Sequence, residues 1–285
     1  MDLHSDGHGL VESPRWHDGR LWFADWLAGE IITIVDGRAD VVARHRSLPL
    51  CFDFLPDGRP LLVSGPEHAL LELGPDGSTS TYADLGGLSQ YGCNDIVIDG
   101  RGNAYVNNGN FDFAKGPPPG ERAPGFVALV RPDGSATVAG DDLAFPNGMA
   151  VTPDNATLIV AESYRNRLTA FSIDADGSLG ERRTWADLGD GVPDGICIDA
   201  DGAVWFADVP NKWCRRVAEG GAVLDTVQLD RGGFACMLGG ATDPRLYIVA
   251  AHWPGGERFT DPTHVWDGQA LSVPAPAPLA GWPGN

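Results

Sequence analysis

The sequence predicts an all-β chain folded as a six-bladed β-propeller, with four-stranded antiparallel blades around a central channel. Three observations carry this expectation. Glycine and proline are plentiful, 38 and 22 of 285 residues, and spread along the whole chain, as many short strands joined by tight turns require. A unit made of a polar entry, a strand, an Asp/Gly-rich turn and a second apolar strand recurs six times. The second strands of these units begin near Leu21, Leu61, Ala104, Leu158, Val204 and Leu246, roughly 40 to 54 residues apart, within the range of propeller blades.

The six units are ESPRWHDGRLWFAD (12–25), CFDFLPDGRPLLVS (51–64), CNDIVIDGRGNAYVNN (93–108), PNGMAVTPDNATLIVAES (146–163), PDGICIDADGAVWFAD (193–208) and ACMLGGATDPRLYIVAA (235–251). Further strand-like pairs follow them, as in EIITIVDGRADVVARH (30–45) and RLTAFSIDADGSLGERRTW (167–185), giving four strands per unit. Radial repetition of such units places the first strand of each on the axis. A linear β-solenoid has shorter coils and does not alternate inner with outer hairpins. In the sixth unit THVWDGQALSV (263–273) reads as an outer hairpin, which leaves open the terminus that closes the ring. No linker divides the chain, so residues 1–285 are expected to form one domain.

A formal charge of −19 argues against a nucleic-acid partner, since phosphate is bound through Lys and Arg. It suits a solvated surface together with an acidic cavity that attracts a cation. Five cysteines, Cys51, Cys93, Cys197, Cys214 and Cys236, are odd in number and without C-x-x-C spacing, which fits a reducing cytoplasm. The N-terminal stretch lacks the apolar core of a signal peptide, and no segment has the roughly 20 apolar residues of a membrane span.

Equivalent positions in the six units should meet around the channel. Counting back about ten or eleven residues from the second strand gives Glu12, Cys51 or Phe52, Asn94, Asn147, Asp194 and Cys236. Four of the six carry side-chain oxygen. Two anionic and two neutral oxygen donors suit one hard divalent cation. Asn147-Gly148 and Asp194-Gly195 also have the composition of ordinary turns, and it is the shared register that favours a site. Asp53 falls beside the register position, and its replacement by alanine is expected not to abolish turnover. The seven histidines are scattered without H-x-x-x-H spacing, and no G-x-S-x-G elbow occurs, so a histidine zinc centre and a serine nucleophile are set aside.

These motifs, ESPRW with Glu12, CNDIVID with Asn94, FPNGMAVTPD with Asn147 and PDGICIDADGAVWFAD with Asp194, resemble those of the gluconolactonase, regucalcin and senescence-marker-protein family over nearly the whole chain. The resemblance implies a metal site of Glu12, Asn147 and Asp194, with Asn94 beside it facing substrate. It also implies metal-assisted hydrolysis of a small-molecule lactone or ester, with Asp194 taking the proton of the attacking water or the activated water acting directly. Ca²⁺ is the expected ion, with Mg²⁺, Mn²⁺ and Zn²⁺ as alternatives, and the expected state is a monomer or weak homo-oligomer. A non-catalytic binding propeller and a phosphotriesterase-type hydrolase are the rival readings.

One departure stands out. Sugar-lactone members carry an Arg two residues before the Asn of the ND motif, where this chain has Gly92. The family's acidic substrate contact falls near Asp112, flanked by Phe111 and Phe113, which either meet a less polar substrate or pin a long loop to the surface.

Overall fold

A computed structural model describes residues 1–112, 115, 124–240, 242–255, 261 and 263–280. Six four-stranded sheets, formed in chain order by residues 11–44, 50–84, 96–143, 146–187, 196–228 and 232–274 with 2–8, make blades 1 to 6 of a propeller. All pairings are antiparallel, and in blades 1 to 5 they join strands adjacent in sequence. The innermost strands are Val11–His17, Leu50–Phe54, Ile96–Ile98, Pro146–Val151, Ile196–Ile198 and Gly232–Gly239. The second strands begin at Arg20, Pro60, Ala104, Thr157, Val204 and Arg245, each within one residue of its expected start.

The second strands read as continuous apolar runs because each is covered on both faces by neighbouring blades. In blade 5, Trp205 packs among Cys236, Met237 and Leu246 of blade 6, whereas the next residue, Phe206, packs among Ile159, Trp185 and Leu188 of blade 4. Consecutive side chains on a strand point to opposite faces, so one dipeptide fastens three blades. The outermost strands Arg38–Arg44 and Val223–Gln228 are mostly exposed, the ordinary consequence of forming the rim. The Asp-rich turns close through side-chain acceptors: Asp99 takes the N–H of Arg101 and Asn103, and Asp199 takes those of Asp201 and Ala203.

Blade 6 differs from the expectation of an outer hairpin within 263–273. Only one strand, Gly268–Pro274, forms there, and the fourth strand is Asp2–His8 from the N-terminus. The ring is thus closed by pairing the first strand of the chain with the last. His4 Nε2 and Arg245 Nε both meet Ser272 Oγ, at 2.7 and 2.8 Å, and Arg245 pairs with Asp2. The C-terminal segment crosses the far end of the channel, where the N–H of Ala200 donates to Pro278 and that of Ala280 to Ile198. No helix among the described residues is long and apolar enough to cross a membrane.

Candidate active site

The innermost strands are irregular where the candidate ligands stand. In blade 1 the pairing shifts between Glu12 and Arg15, and Ser13 adopts a φ of 50°, a bulge that turns Glu12 toward the axis. The Ser13 N–H donates to Glu12 Oε2 at 2.7 Å and fixes the carboxylate. In blade 4 a register shift between Pro146 and Met149 sets out Asn147. Blades 3 and 5 share one backbone pattern. The N–H of Asn94 donates to Asn107 and that of Asn107 to Asp95, just as Asp194 donates to Ala207 and Ala207 to Gly195. Asn94 and Asp194 are therefore structurally equivalent, as the register counting required. Blade 2 pairs without a bulge over Leu50–Phe54 and brings Cys51 to the channel. Phe52, the other residue considered at this position, is buried in the hydrophobic core.

Gly148 and Gly195 owe their presence to close approach of adjacent strands. A Cβ on Gly148 would lie 2.5 Å from the Asp194 carbonyl oxygen, and one on Gly195 would lie 2.2 Å from Ala235 Cβ. The same glycines carry the belt that holds the site: Gly148 N–H donates to Asp194 O at 3.1 Å and Gly195 N–H to Phe234 O at 2.8 Å. Asn107 extends the belt to blade 3, its Nδ2 donating to Asn147 O at 2.5 Å.

Glu12, Asn94 and Asn147 line one small axial cavity of about 10 Å³, with Cys51, Asp95 and Cys236 in the same wall. Asp194 stands at its edge, partly exposed, with its neighbour Gly195 in the wall. Asn94 Nδ2 donates to Asn147 Oδ1 at 3.4 Å, and the Asn147 side chain donates to Asp194. Burial raises the Glu12 carboxyl to about 8, Asp95 adding to the rise while the Ser13 N–H and Arg15 oppose it. Burial also lifts Asp194 well above the usual carboxylate range, with Glu12, Asp95 and Asp208 contributing and the Asn147 hydrogen bond opposing.

Sequence reasoning missed the layer beneath. Arg15 lies under Glu12, 3.2 Å from Asp53 and 3.5 Å from Asp95, and its Nη2 donates to Ile96 O at 2.6 Å. Its guanidinium is largely committed to those partners and offsets the Glu12 charge only in part. Asp53 is therefore no bystander: fully buried, it also accepts the N–H of Ile98 at 2.8 Å and of Phe54 at 2.9 Å. A signal was present, since Arg15 follows Glu12 in ESPRW while Asp53 and Asp95 sit two residues and one residue past the channel positions Cys51 and Asn94 of the next two blades. Ser163 was also missed. Its Oγ donates to Pro193 O at 2.7 Å and lies 3.4 Å from Asn147 Nδ2, linking blades 4 and 5 at the site.

The loop residues lie farther out. Asp112 is outside the axial cavity wall and pairs with Lys115 at 2.7 Å. Phe111 packs on Phe145 with ring centres 5.3 Å apart, and Phe145 on Tyr164 at 4.8 Å, forming an aromatic row two residues from Asn147. Phe145 holds a φ of 54°, a strained backbone for an aromatic residue. Phe113 lies outside the described residues.

The donor set fits a divalent cation. Among the described residues no three His, Cys, Asp or Glu side chains gather into a metal centre, so a site here needs the carboxamides of Asn147 and Asn94 besides Glu12 and Asp194. A buried carboxylate, Glu12, with a second, Asp194, at the edge of the same small space is costly unless a cation joins them.

Fold and site together define a six-bladed propeller with an oxygen-donor site on its axis. The SMP-30/Gluconolactonase/LRE-like region matches residues 10–252, and the chain belongs to that family. A 6-deoxy-6-sulfogluconolactonase from Pseudomonas putida is 31% identical over 137 residues, 47% of each chain. The chain spans about half the length of the curated relatives it matches. A luciferin-regenerating enzyme superposes with a TM-score of 0.81 at 19% identity, covering 98% of this chain and 96% of that one. Regucalcin from Agrobacterium tumefaciens, described as a calcium-binding protein, superposes with a TM-score of 0.75 at 21% identity, again over 98% and 96%.

Proposed function

We propose that this chain hydrolyses lactones and related carboxylic esters with one divalent cation, Ca²⁺ foremost, held by Glu12, Asn147 and Asp194. The observation that carries the reading is one axial cavity lined by Glu12, Asn94 and Asn147 from three blades, with Asp194 of a fourth at its edge, where burial pushes both carboxyls upward. Membership of a family whose members include lactonases supports it.

When bound, the cation supplies Lewis-acid polarisation of the ester carbonyl and charge stabilisation of the developing oxyanion. The chain does the rest. Glu12, fixed by the Ser13 N–H, offers an oriented anionic oxygen. Asn94, donating to Asn147, holds that carboxamide in one orientation and keeps its own polar edge beside the site. Asp194, at the edge of the cavity, takes the proton of the attacking water and returns it to the leaving alkoxide. Beside the cation Asp194 is held ionised, the form that can accept a proton, at a lowered basicity. The small wall of Met149, Ile196 and Ala235 excludes bulk water below the reacting carbonyl.

The test is a panel of lactones, aryl esters and phosphotriesters with chelator-treated protein, followed by return of Ca²⁺, Mg²⁺, Mn²⁺ or Zn²⁺ singly. Lactone turnover that vanishes on chelation and returns with one ion is expected, with about one ion bound per chain. Full activity in exhaustively metal-free protein overturns the mechanism. A bound ion with no turnover in any arm establishes the binding-protein alternative, and turnover of phosphotriesters alone establishes the phosphotriesterase one.

A further inference from the structure

A second, larger cavity of about 440 Å³ opens between blades 1 and 2, a volume suited to a small organic ligand. It lies at the same end of the propeller as Glu12. Asp25 pairs with Val11 beside Glu12, and Ser64 pairs with Leu50 beside Cys51. The turns that follow Asp25 and Ser64, with the blade 1 to blade 2 connection, form the cavity walls. Trp26 belongs to the walls of both this cavity and the axial one, so the two spaces border the same residue.

The walls have a definite chemistry. Trp26, Leu27, Leu48 and Pro66 are apolar, and Leu27 is 46% exposed. The hydroxyl of Ser47 is already spent, donating to Pro49 O and accepting the Gly65 N–H at 3.0 Å. Gly65 in turn lies against Gly92 so closely that a Cβ on Gly92 would meet Gly65 Cα at 2.7 Å, so the loop before Asn94 presents no side chain here. The single charged group in the wall is Arg46. Its neighbour Arg44 is paired with Glu30, and Glu67, which follows Pro66, is turned to His45 at 3.4 Å. Among the described residues Arg46 has no ion-pair partner, although the chain carries 39 acidic against 20 basic residues.

We infer that this cavity is the subsite for the part of the substrate remote from the scissile ester, and that it takes an apolar, planar body bearing a carboxylate directed at Arg46. The inference rests on the lactonase reading for the chemistry but not for the binding. A polyol would leave several hydroxyls facing Trp26, Leu27 and Leu48 without partners. A flat hydrocarbon body covers the exposed Leu27 and Pro66 and the accessible edge of the indole instead, and the guanidinium supplies a planar two-pronged donor for an anion.

Two measurements test it. Calorimetry on metal-loaded protein should detect 3-phenylpropionate more tightly than 3-phenylpropanol or gluconate, and Arg46→Gln should weaken the carboxylate about three- to tenfold while leaving the alcohol unchanged. In parallel, kcat/KM for dihydrocoumarin carrying a carboxylate should exceed that for the parent lactone, with Arg46→Gln acting through KM. Binding that ignores Arg46, or gluconate bound as tightly as 3-phenylpropionate, overturns the subsite. The expected binding pattern with no lactone turned over leaves the subsite standing and removes the hydrolase reading. Lactone turnover indifferent to both the carboxylate and Arg46 does the reverse.

Discussion

The channel has two chambers, and they differ in chemistry although the same innermost strands build both. Above Arg15 stand Glu12, Asn94, Asn147 and Asp95. Below it Val97, Val151, Ile198 and Met237 enclose a space of about 20 Å³, with Leu279 of the C-terminal segment in the same wall. Arg15 belongs to both walls. The upper chamber is built where the strands bulge or have not yet begun to pair regularly, the lower one where they are ordinary β-structure. Irregular backbone aims polar groups at the axis, and regular backbone packs apolar ones against neighbouring blades. Chemistry should therefore be lost by changes above Arg15, and stability alone by changes below it.

The largest effect expected above Arg15 is on turnover. Asp194→Asn keeps an oxygen donor but removes the proton acceptor, and kcat should fall about 10²- to 10⁴-fold with metal content and melting temperature nearly retained. Metal content by elemental analysis and kcat on one lactone decide this. If activity and metal disappear together, Asp194 is a ligand without the role of base.

At the division between the chambers, Arg15→Met strips the counter-charge from Asp53 and Asp95. Leaving buried acids uncompensated should cost about 3–5 kcal/mol in denaturant unfolding. Met237→Ala, below, should cost about 2–5 kcal/mol by opening a cavity, yet leave kcat/KM per folded molecule unchanged. A Met237 variant that unfolds normally but turns over slowly would show that the chambers are coupled, and the comparison would fail.

This division also accounts for what could be read from the sequence. Six blades, the starts of their second strands and the axial register of Glu12, Asn94, Asn147 and Asp194 were legible, because repeated apolar runs and Asp/Gly turns are local properties of the chain. Strand sharing in blade 6 was not, since the pairing of Asp2–His8 with Gly268–Pro274 joins residues from opposite ends and leaves no mark in either segment. Arg15 escaped for a related reason. Its partners come from two other blades, and only their meeting in space explains a buried guanidinium under the candidate ligands. The two glycines read as possible turn residues prove to be places where one strand touches the next, a distinction composition does not carry.

A more gradual effect concerns pH in chelator-treated protein. Folded Glu12 keeps its proton up to about 8, whereas the unfolded carboxyl releases it near 4.5. The folded state thus binds more protons in that window, and the contribution of Glu12 to stability is complete below 4.5 and lost as pH rises toward 8. His4 and His8 act in the opposite sense, because burial holds both rings below 6.5. The informative quantity is therefore the parent minus Glu12→Gln, followed by thermal melting from pH 5 to 8. The parent should lose stability steadily relative to the variant as pH rises, and that relative loss should shrink on saturation with Ca²⁺, which favours the ionised carboxylate. A difference that stays flat across the range would mean that Glu12 is better solvated than its position at the axis implies.

The smallest effect should come from the outer edge of the upper chamber, where Phe111, Phe145 and Tyr164 form their aromatic row. Their placement beside Asn147 suits contact with a substrate ring above the reacting carbonyl. An aromatic pair contributes about 0.5–1.5 kcal/mol beyond its buried area. Phe111→Ala should therefore lower kcat/KM for dihydrocoumarin by about two- to tenfold and leave a small aliphatic γ-lactone unaffected. Because Phe111 also packs on Phe145, stability must be measured alongside, and Phe111→Leu, which preserves bulk without the ring, separates the two roles. If Phe111→Leu restores stability but the aryl preference stays lost, the ring faces substrate. If the leucine restores both, or if both lactones slow equally in the alanine variant, the row serves to brace Phe145 in its strained backbone and the chemistry of the upper chamber ends at Asn147.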